Sequence, residues 1–258
     1  MSKVLMQLAV TVAASISVSN TSMAAETTAL TLGIQPSYFQ GDYGTSNTVK
    51  MVYVPVFLKY RLGNATFKAT IPYIFVSSGD VLVSGGAVVG KSSASGTRNG
   101  LGDIWLEGQY KFKTGDGLVP DIQPYAKIKV PTASHSKGLG TGKTDYEVGS
   151  ALQWKAGTTF YPFLKGGYRI VGKRSELNLR NVATYEGGVT AAVAPHHFLT
   201  AMYSGHQSLQ RGFASTSDAI VAWDYTGVQD VDLQLYGDKG LSTGSADFGV
   251  GFAASIRF

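Results

Sequence analysis

The sequence predicts an all-β protein: a transmembrane antiparallel β-barrel of about twelve strands, with short periplasmic turns and long outer loops. Its 258 residues include 32 Gly, 14 Tyr and 12 Phe, and 15% are charged, whereas soluble domains are about 25% charged. Past residue 25, no stretch approaches the roughly 18 consecutive apolar residues of a membrane-spanning helix. Segments that alternate apolar and polar residues, however, recur to the C-terminus. These observations exclude a bundle of transmembrane helices.

The N-terminal segment predicts export from the cytoplasm. Residues 1–24 resemble a secretory signal peptide, because a lysine precedes an apolar stretch at 4–18 and the small residues Ser22 and Ala24 suit cleavage after Ala24. An uncleaved anchor is less favoured, since the apolar part is short and contains Ser and Thr. Residues 25–258 are therefore predicted to form the barrel, in the outer membrane of a Gram-negative cell.

Eleven segments before the C-terminal one alternate with period 2, and each predicts a strand with one apolar face. They are 29–38, 51–62, 65–76, 102–113, 121–131, 144–155, 159–171, 182–193, 198–206, 218–226 and 229–236. Two outward-facing residues of each, in the same order, are Leu30 and Leu32, Val52 and Val54, Phe67 and Ile71, Ile104 and Leu106, Ile122 and Ile128, Tyr146 and Val148, Leu164 and Tyr168, Tyr185 and Val189, Leu199 and Tyr203, Val221 and Trp223, Leu233 and Leu235. Charged residues inside the strands fall on the other face, as expected if charge on the lipid face costs about 2–4 kcal/mol.

The C-terminal segment 246–258 shows the alternation most clearly. One face carries Ala246, Phe248, Val250, Phe252, Ala254, Ile256 and Phe258, whereas the other carries small residues with Asp247 and Arg257. The last strand of a soluble sandwich is the alternative, but such strands are usually shorter. A strand that ends in an aromatic residue resembles the C-terminal recognition signal of bacterial outer-membrane barrels. This implies that Phe258 directs the chain to the barrel assembly machinery and that outer-membrane lipids surround the barrel.

The connections between the predicted strands alternate in length. Those near 63–64, 156–158, 194–197 and 227–228 are short, whereas 39–50, 77–100, 132–143, 172–181 and 207–217 are long. Outer-membrane barrels have short periplasmic turns and longer outer loops. Only the turn at 114–120 is longer than this rule predicts. Both termini are therefore expected in the periplasm, and the loop 77–100 outside.

Charged residues on the inward faces carry the functional hypothesis. The basic ones are Lys59, Arg61, Lys68, Lys111, Lys113, Lys127, Lys129, Lys155, Lys165, Arg169 and Arg257, and the acidic ones are Asp103, Glu107, Asp145, Glu147, Glu186, Asp224, Asp230, Asp232 and Asp247. Most of the basic residues precede residue 171, and the last three strands contribute four of the acidic residues. Basic and acidic walls would then face each other across a water-filled pore and set an electric field across it. The alternative is a salt-bridge lattice that fills a closed lumen, since a barrel of this size allows either.

Hairpin register brings some of these charges together. A hairpin across 114–120 places Glu107 opposite Lys127, and a hairpin across 132–143 brings Lys129 to Asp145 or Glu147. These five residues are predicted to form a network at or near the constriction. The complete set of predicted lumen and selectivity residues is Glu107, Lys127, Lys129, Asp145, Glu147, Lys165, Arg169 and Asp232.

Other motifs are weaker. Residues 138–143 lack the spacing of a phosphate-binding loop, and no helix pattern follows them. The histidines at 135, 196 and 197 have no nearby carboxylate to complete a metal site. The absence of Cys excludes thiolate zinc sites and cysteine nucleophiles. The net charge of +5 is not clustered, which disfavours nucleic acid as a partner. No metal and no cofactor is therefore predicted.

The pair His206 and Ser208 leaves one enzymatic alternative open. Outer-membrane lipid hydrolases place a catalytic His two residues before a nucleophilic Ser, and such a pair can activate a hydroxyl. The phospholipase pattern continues with Asn-Gly, whereas Leu209 and Gln210 follow here. No third group to orient the imidazole is evident. A polar histidine near a loop is the more favoured interpretation, and no catalytic residue is predicted.

Three stretches resemble a known family. They are Ile71-Pro72-Tyr73, Gly100-Leu101-Gly102-Asp103 and the run from Lys129 to Gly149. Together they are similar to the outer-membrane transporters described as involved in the meta-pathway of phenol degradation. The resemblance implies a barrel linked to the uptake of aromatic or other hydrophobic compounds, and it implies no catalytic residues.

The leading hypothesis is therefore a channel for small, aromatic or hydrophobic molecules through a charge-lined lumen. The outer segment Val81–Val89 is apolar, which hydrophobic cargo would explain. The alternatives are the lipid hydrolase and a closed structural or adhesive barrel.

Overall fold

The computed structural model describes residues 28–77, 79–94, 96–112 and 119–258, together with the backbone of Leu8–Val10 and Ala14–Ile16, which pair with each other. The predicted signal peptide, residues 1–24, otherwise lies outside the described residues, so its cleavage stays a prediction. Lys113 and most of the connection 114–120 also lie outside them.

Fourteen strand segments form one sheet that closes on itself. Two strands are each interrupted once, so the wall has twelve antiparallel strands, as predicted. They are β1 (Ala29–Ile34, continuing as Ser37–Gly41), β2 (Val49–Leu62), β3 (Ala65–Val76), β4 (Arg98–Leu101, continuing as Ile104–Tyr110), β5 (Asp121–Val130), β6 (Asp145–Gln153), β7 (Phe160–Ile170), β8 (Val182–Ala194), β9 (His197–His206), β10 (Thr216–Val228), β11 (Val231–Gly240) and β12 (Phe248–Arg257).

The barrel closes between its first and last strands. Thr31 of β1 pairs with Arg257 of β12 at one end, and Phe39 pairs with Gly249 further along. The start of β1 and the end of β12 therefore lie at the end where the connections are short, which we call the turn end. The opposite end, the loop end, carries the long connections. A 3₁₀ turn at Ser175–Leu177 is the helical element among the described residues, and no helix in the described chain is long and apolar enough to cross a membrane.

The two faces of the wall differ in polarity as the alternation predicts. Outward-facing Leu58, Phe67, Val148 and Val221 are between 46% and 60% exposed. The inward-facing residues of the same strands include buried Lys, Asp and Glu side chains. Because successive side chains of a strand point to opposite faces, this pattern places the apolar belt outside and the charges inside.

The predicted faces are wrong at two acidic residues. Asp230 lies in the turn between β10 and β11 with a φ of +58° and is exposed. Asp247 is also exposed, because β12 begins only at Phe248, and its neighbour Ala246 is buried rather than outward-facing. In both cases the period-2 pattern was extended beyond the end of the regular strand, where parity no longer sets side-chain direction.

The connection between β3 and β4 folds into the mouth of the barrel. Val81–Ser84 and Ala87–Lys91 pair as a two-stranded hairpin, which we call the plug hairpin. Its turn is Gly85-Gly86, both with positive φ (+62° and +84°), a combination that tight hairpin turns require. A Cβ on Gly86 would lie 2.8 Å from the ring of Tyr53, so the turn rests directly on the inner wall.

Two buried apolar clusters surround the plug hairpin at the loop end. Val81, Val83 and Val88 pack with a cluster on the inner face of β1 to β3 that includes Phe39 and Met51. The other side of the hairpin, with Leu82 and Val89, packs against residues of the loops at the same end, Val171, Leu179 and Leu209. The apolar character of segment 81–89, for which hydrophobic cargo was the suggested explanation, is accounted for by burial of the segment in the mouth.

Candidate functional site: the plugged mouth and charged interior

Contacts along the whole length of the plug hairpin hold it in place. The Arg98 guanidinium donates to the carbonyl oxygens of Gly79 and Val81 at 3.0 and 2.7 Å, at the base of the hairpin. The backbone N–H of Val83 donates to the Gly138 carbonyl at 2.9 Å. On the other strand, the N–H of Lys91 donates to the Gln210 side-chain oxygen at 2.7 Å. The hairpin is therefore a fixed part of the mouth.

A buried charge cluster holds the tip of the hairpin. Lys129 Nζ lies 2.8 Å from Asp145 and 3.3 Å from Asp103, and all three side chains are fully buried. The same Nζ donates to the hydroxyls of Ser84 at 3.1 Å and Thr141 at 2.8 Å. The predicted pairing of Lys129 with Asp145 is confirmed by the strand register. The cluster is shielded from solvent, and its contacts join β4, β5 and β6 to the plug hairpin.

Below the hairpin, the inward charges form a connected lattice. The register places Glu107 opposite Lys127, as predicted, and their side chains lie 3.2 Å apart. Lys127 also approaches Glu147 at 4.0 Å, and Arg169 Nε donates to Glu147 at 2.8 Å. Lys165 lies 3.7 Å from Glu186. The selectivity role of these residues stays a prediction, but seven of the eight predicted lumen residues, all except Asp232, lie in the charge pairs at the middle of the barrel and around Lys129.

Aromatic side chains that the sequence analysis did not select are part of this lattice. Tyr125 donates to Glu147 at 3.0 Å, and the Lys127 and Lys165 ammonium groups lie over its ring, 5.1 and 4.8 Å from the centroid. The Arg169 guanidinium lies 5.1 Å from the ring of Trp105. Both aromatics are at odd positions of strands whose odd positions face inward, so parity could have identified them.

Separate charge pairs occupy the turn end. Arg257 lies 3.0 Å from Asp232, and Lys111 lies 2.8 Å from Asp121. Asp232 therefore lies at the turn end, in a different charge pair from the other seven predicted lumen residues. Asp224 accepts a hydrogen bond from Gln234 at 2.7 Å. The interior-facing charged side chains in these pairs are all less than a quarter exposed.

A cavity of about 90 Å³ lies between the tip of the plug hairpin and the wall formed by β8 to β11. Phe39, Met51 and Val88 form its apolar side. Its polar side is acidic, with Glu186, Asp218 and Asp238. Arg169 also lines the cavity, so the ion-pair lattice begins at its floor.

The acidic side of the cavity contains residues that the sequence analysis missed. Asp218 and Asp238 face inward from β10 and β11 and are 9% and 6% exposed. β11 extends to Gly240, four residues beyond the predicted strand 229–236, and Asp238 continues the inward face of Gln234 and Tyr236. An acidic wall on the last strands is therefore present, but Asp218 and Asp238 belong to it, and Asp230 and Asp247 do not.

Tyr43 closes the cavity on the side of the loop between β1 and β2. Its side chain is buried and lines the cavity. Burial, with the nearby carboxylates of Asp238 and Asp218, raises the pKa of the Tyr43 hydroxyl well above its ordinary value. The hydroxyl therefore stays protonated and able to donate a hydrogen bond.

His206 and Ser208 do not form a catalytic arrangement. The Nδ1 of His206 lies 2.8 Å from the carbonyl oxygen of Gln207. The Ser208 hydroxyl donates to the carbonyl oxygen of Gln210 at 2.5 Å, and the residue is buried. Each side chain is thus bound to nearby backbone, which argues against the hydrolase alternative. Among the described residues, no group of three or more His, Cys, Asp or Glu side chains is arranged to hold a metal ion.

Known structures share this fold. An outer membrane channel from Pseudomonas putida F1 superposes with a TM-score of 0.68 at 14% identity, covering 91% of this chain and 97% of that one. The NanC porin superposes with a TM-score of 0.59 at 13% identity, covering 88% and 100%. The KdgM porin superposes with a TM-score of 0.56 at 10% identity, covering 88% and 99%. No family model matches the sequence, and no curated protein is significantly similar to it. The chain therefore has the fold of outer-membrane β-barrel channels and porins, and the resemblance to the phenol-degradation transporters stays a prediction.

Proposed function

We propose that this protein is an outer-membrane channel that admits small aromatic or other hydrophobic molecules past the plug hairpin and into a charge-lined interior. The observation that carries the proposal is the cavity at the hairpin tip, where Phe39, Met51 and Val88 offer an apolar surface at the mouth of the barrel. Ligand sites are typically concave and apolar with a few placed polar groups.

The outer surface supports a location in the outer membrane. Large apolar side chains are exposed around the wall, among them Leu106 and Ile170, and a soluble protein rarely exposes a continuous apolar area of this extent. Phe258 is 71% exposed at the end of β12, where the barrel assembly machinery would recognise it. The three similar structures named above are a channel and two porins, which supports passage of small molecules as the class of function.

The contacts of the plug hairpin favour a path beside the hairpin over one that displaces it. The side of the hairpin that carries Val81, Val83 and Val88 is packed against β1 to β3, and its tip is bound by Lys129. Displacing the hairpin would expose this apolar surface and break the buried charge cluster, at a high cost in free energy. The cavity beside the tip, next to β8 to β11, is the route that requires the least rearrangement.

A pair of tryptophan substitutions on β9 tests the proposal. Ser204 lines the cavity, so Ser204→Trp fills it. Ala201 is exposed on the outer face of the same strand, so Ala201→Trp adds the same side chain without entering the mouth. Each variant is expressed in a Gram-negative host whose outer membrane resists hydrophobic solutes, and the initial rate of uptake of radiolabelled toluene is measured. Single-channel conductance of the purified barrels in planar bilayers is recorded in parallel.

The unaltered chain and Ala201→Trp should increase toluene uptake several-fold over cells without the barrel, and Ser204→Trp should abolish the increase. Equal uptake with and without the folded barrel would refute the channel function. Equal uptake by the two tryptophan variants would refute the route through the cavity.

A further inference from the structure

Two carboxylates in the cavity have no cationic partner. Asp218 and Asp238 are nine-tenths or more buried, yet among the described residues no Lys or Arg nitrogen lies within 4.0 Å of either carboxylate. The Oδ1 atom of Asp238 also has no hydrogen-bond partner in the described part of the chain. Leaving a buried carboxylate oxygen without a donor is costly. The Oδ1 atom of Asp238 is therefore free to accept a hydrogen bond from a donor outside the chain.

The basic groups near the cavity are bound elsewhere. Arg169 donates to Glu147 at 2.8 Å and lies over the Trp105 ring. Lys165 lies 3.7 Å from Glu186. The Nδ1 of His206 lies 2.8 Å from a backbone carbonyl oxygen. The field at Asp218 and Asp238 is thus negative, and a cation is the charge type that it favours.

The opposite side of the cavity favours an apolar body. Phe39, Met51 and Val88 belong to one buried apolar cluster and line the cavity together. The Tyr43 hydroxyl also lines it and has no hydrogen-bond partner among the described residues. A ligand here would meet an apolar surface on one side, carboxylates on the other and the Tyr43 hydroxyl as an additional polar group.

We infer that the cavity binds a small molecule with a protonated amine and an aromatic body, with the ammonium between Asp218 and Asp238 and the ring against Phe39 and Met51. This inference rests on the proposed channel function, because it names the class of cargo that the mouth selects. A metal ion fits less well, since the described residues offer no group of three suitable ligands. A bare inorganic cation would also leave the apolar side of the cavity unused.

Three ligands of similar shape test the inference on the unaltered protein. Phenethylamine is a cation, 2-phenylethanol is neutral and phenylacetate is an anion at neutral pH. Binding of each to the full chain, folded in detergent, is measured by isothermal titration calorimetry. We expect phenethylamine to bind at least tenfold more tightly than 2-phenylethanol, and phenylacetate to bind more weakly than both. Equal affinities for the amine and the alcohol would overturn the inference, and this comparison requires no substitution.

Substitutions then locate the site. Asp238→Asn keeps the shape of the side chain and removes its charge, and it should reduce phenethylamine affinity at least tenfold while changing 2-phenylethanol affinity less than threefold. Asp218→Asn should act in the same direction. Asp224→Asn is the matched control, because Asp224 is an inward carboxylate of β10 that does not line the cavity. The slower migration of heated samples in gel electrophoresis verifies folding of each variant.

The binding result can be separated from the channel proposal. If toluene uptake depends on the barrel but phenethylamine binds no better than the alcohol, the amine site is wrong and the channel function stands. If phenethylamine binds with the expected preference and Asp238→Asn removes it, the amine site is supported even where toluene uptake fails. Loss of the preference in Asp224→Asn as strongly as in Asp238→Asn would overturn the assignment to this cavity.

Discussion

Lys129 donates a hydrogen bond from its Nζ to the hydroxyl of Ser84 at 3.1 Å, and so joins the wall strand β5 to the tip of the plug hairpin. The two residues are 45 positions apart in the sequence. The lysine is at the same time within 3.3 Å of two carboxylates, Asp103 and Asp145. One buried cation therefore balances the charges of two buried carboxylates and also positions the tip of the plug hairpin.

The first prediction concerns this cation. Lys129→Met leaves Asp103 and Asp145 buried without their counter-charge, so the free energy of unfolding should fall by about 3–5 kcal/mol. Urea unfolding of the barrel in lipid vesicles measures this. Lys137→Met is the control, because Lys137 is exposed, and its effect should stay within about 0.5 kcal/mol. Adding Asp103→Asn and Asp145→Asn to Lys129→Met should recover part of the loss, and no recovery would contradict the electrostatic explanation.

The second prediction concerns the turn of the plug hairpin. Gly86→Ala and Gly96→Ala both place a Cβ at a positive φ, +84° and +76°, which costs about 1–2 kcal/mol. Only Gly86 would also contact the Tyr53 ring, whereas nothing lies within 4 Å of a Cβ at Gly96. Gly86→Ala should therefore destabilise the protein more, by an additional ~1–3 kcal/mol, in the same urea titration. Equal effects would mean that the turn does not rest on the wall.

The third prediction concerns ion selectivity of the interior. Lys127→Gln removes a positive charge from the lattice, and Glu107→Gln removes the negative charge 3.2 Å away. In an open pore the first should shift the reversal potential across a KCl gradient toward cation selectivity, and the second should shift it toward anion selectivity. Planar-bilayer recordings give both values. Shifts of the same sign, or none, would show that these residues are structural only.

The fourth prediction concerns orientation. The chain contains no Cys, so a single introduced cysteine reports its own position. Ser93 and Asn64 are both exposed, Ser93 at the loop end and Asn64 in the short turn between β2 and β3. A cysteine at Ser93 should react with a membrane-impermeant maleimide on intact cells, and one at Asn64 should react only after lysis. The reverse labelling pattern would place the loop end in the periplasm.

Much of the barrel could be predicted from local pattern. The twelve strands, their outward faces and the pairing of Glu107 with Lys127 follow from period-2 alternation, and the structure confirms them. Pattern failed where a strand ended: Asp230 lies in a turn with left-handed backbone, and Asp238 lies on a longer β11 than expected. Side-chain direction alternates only while the backbone stays extended and paired.

Within the regular strands, the sequence by itself determined which side chains face the interior, since parity along a strand is a local property that needs no knowledge of distant residues. Only the tertiary structure decided what fills that interior. The direction of Val81–Val89 depends on an apolar surface assembled from β1 to β3 and the other loops, and on Lys129 reaching Ser84. An isolated apolar segment cannot show whether it is buried or exposed, because its burial depends on surfaces that exist only once the barrel has closed.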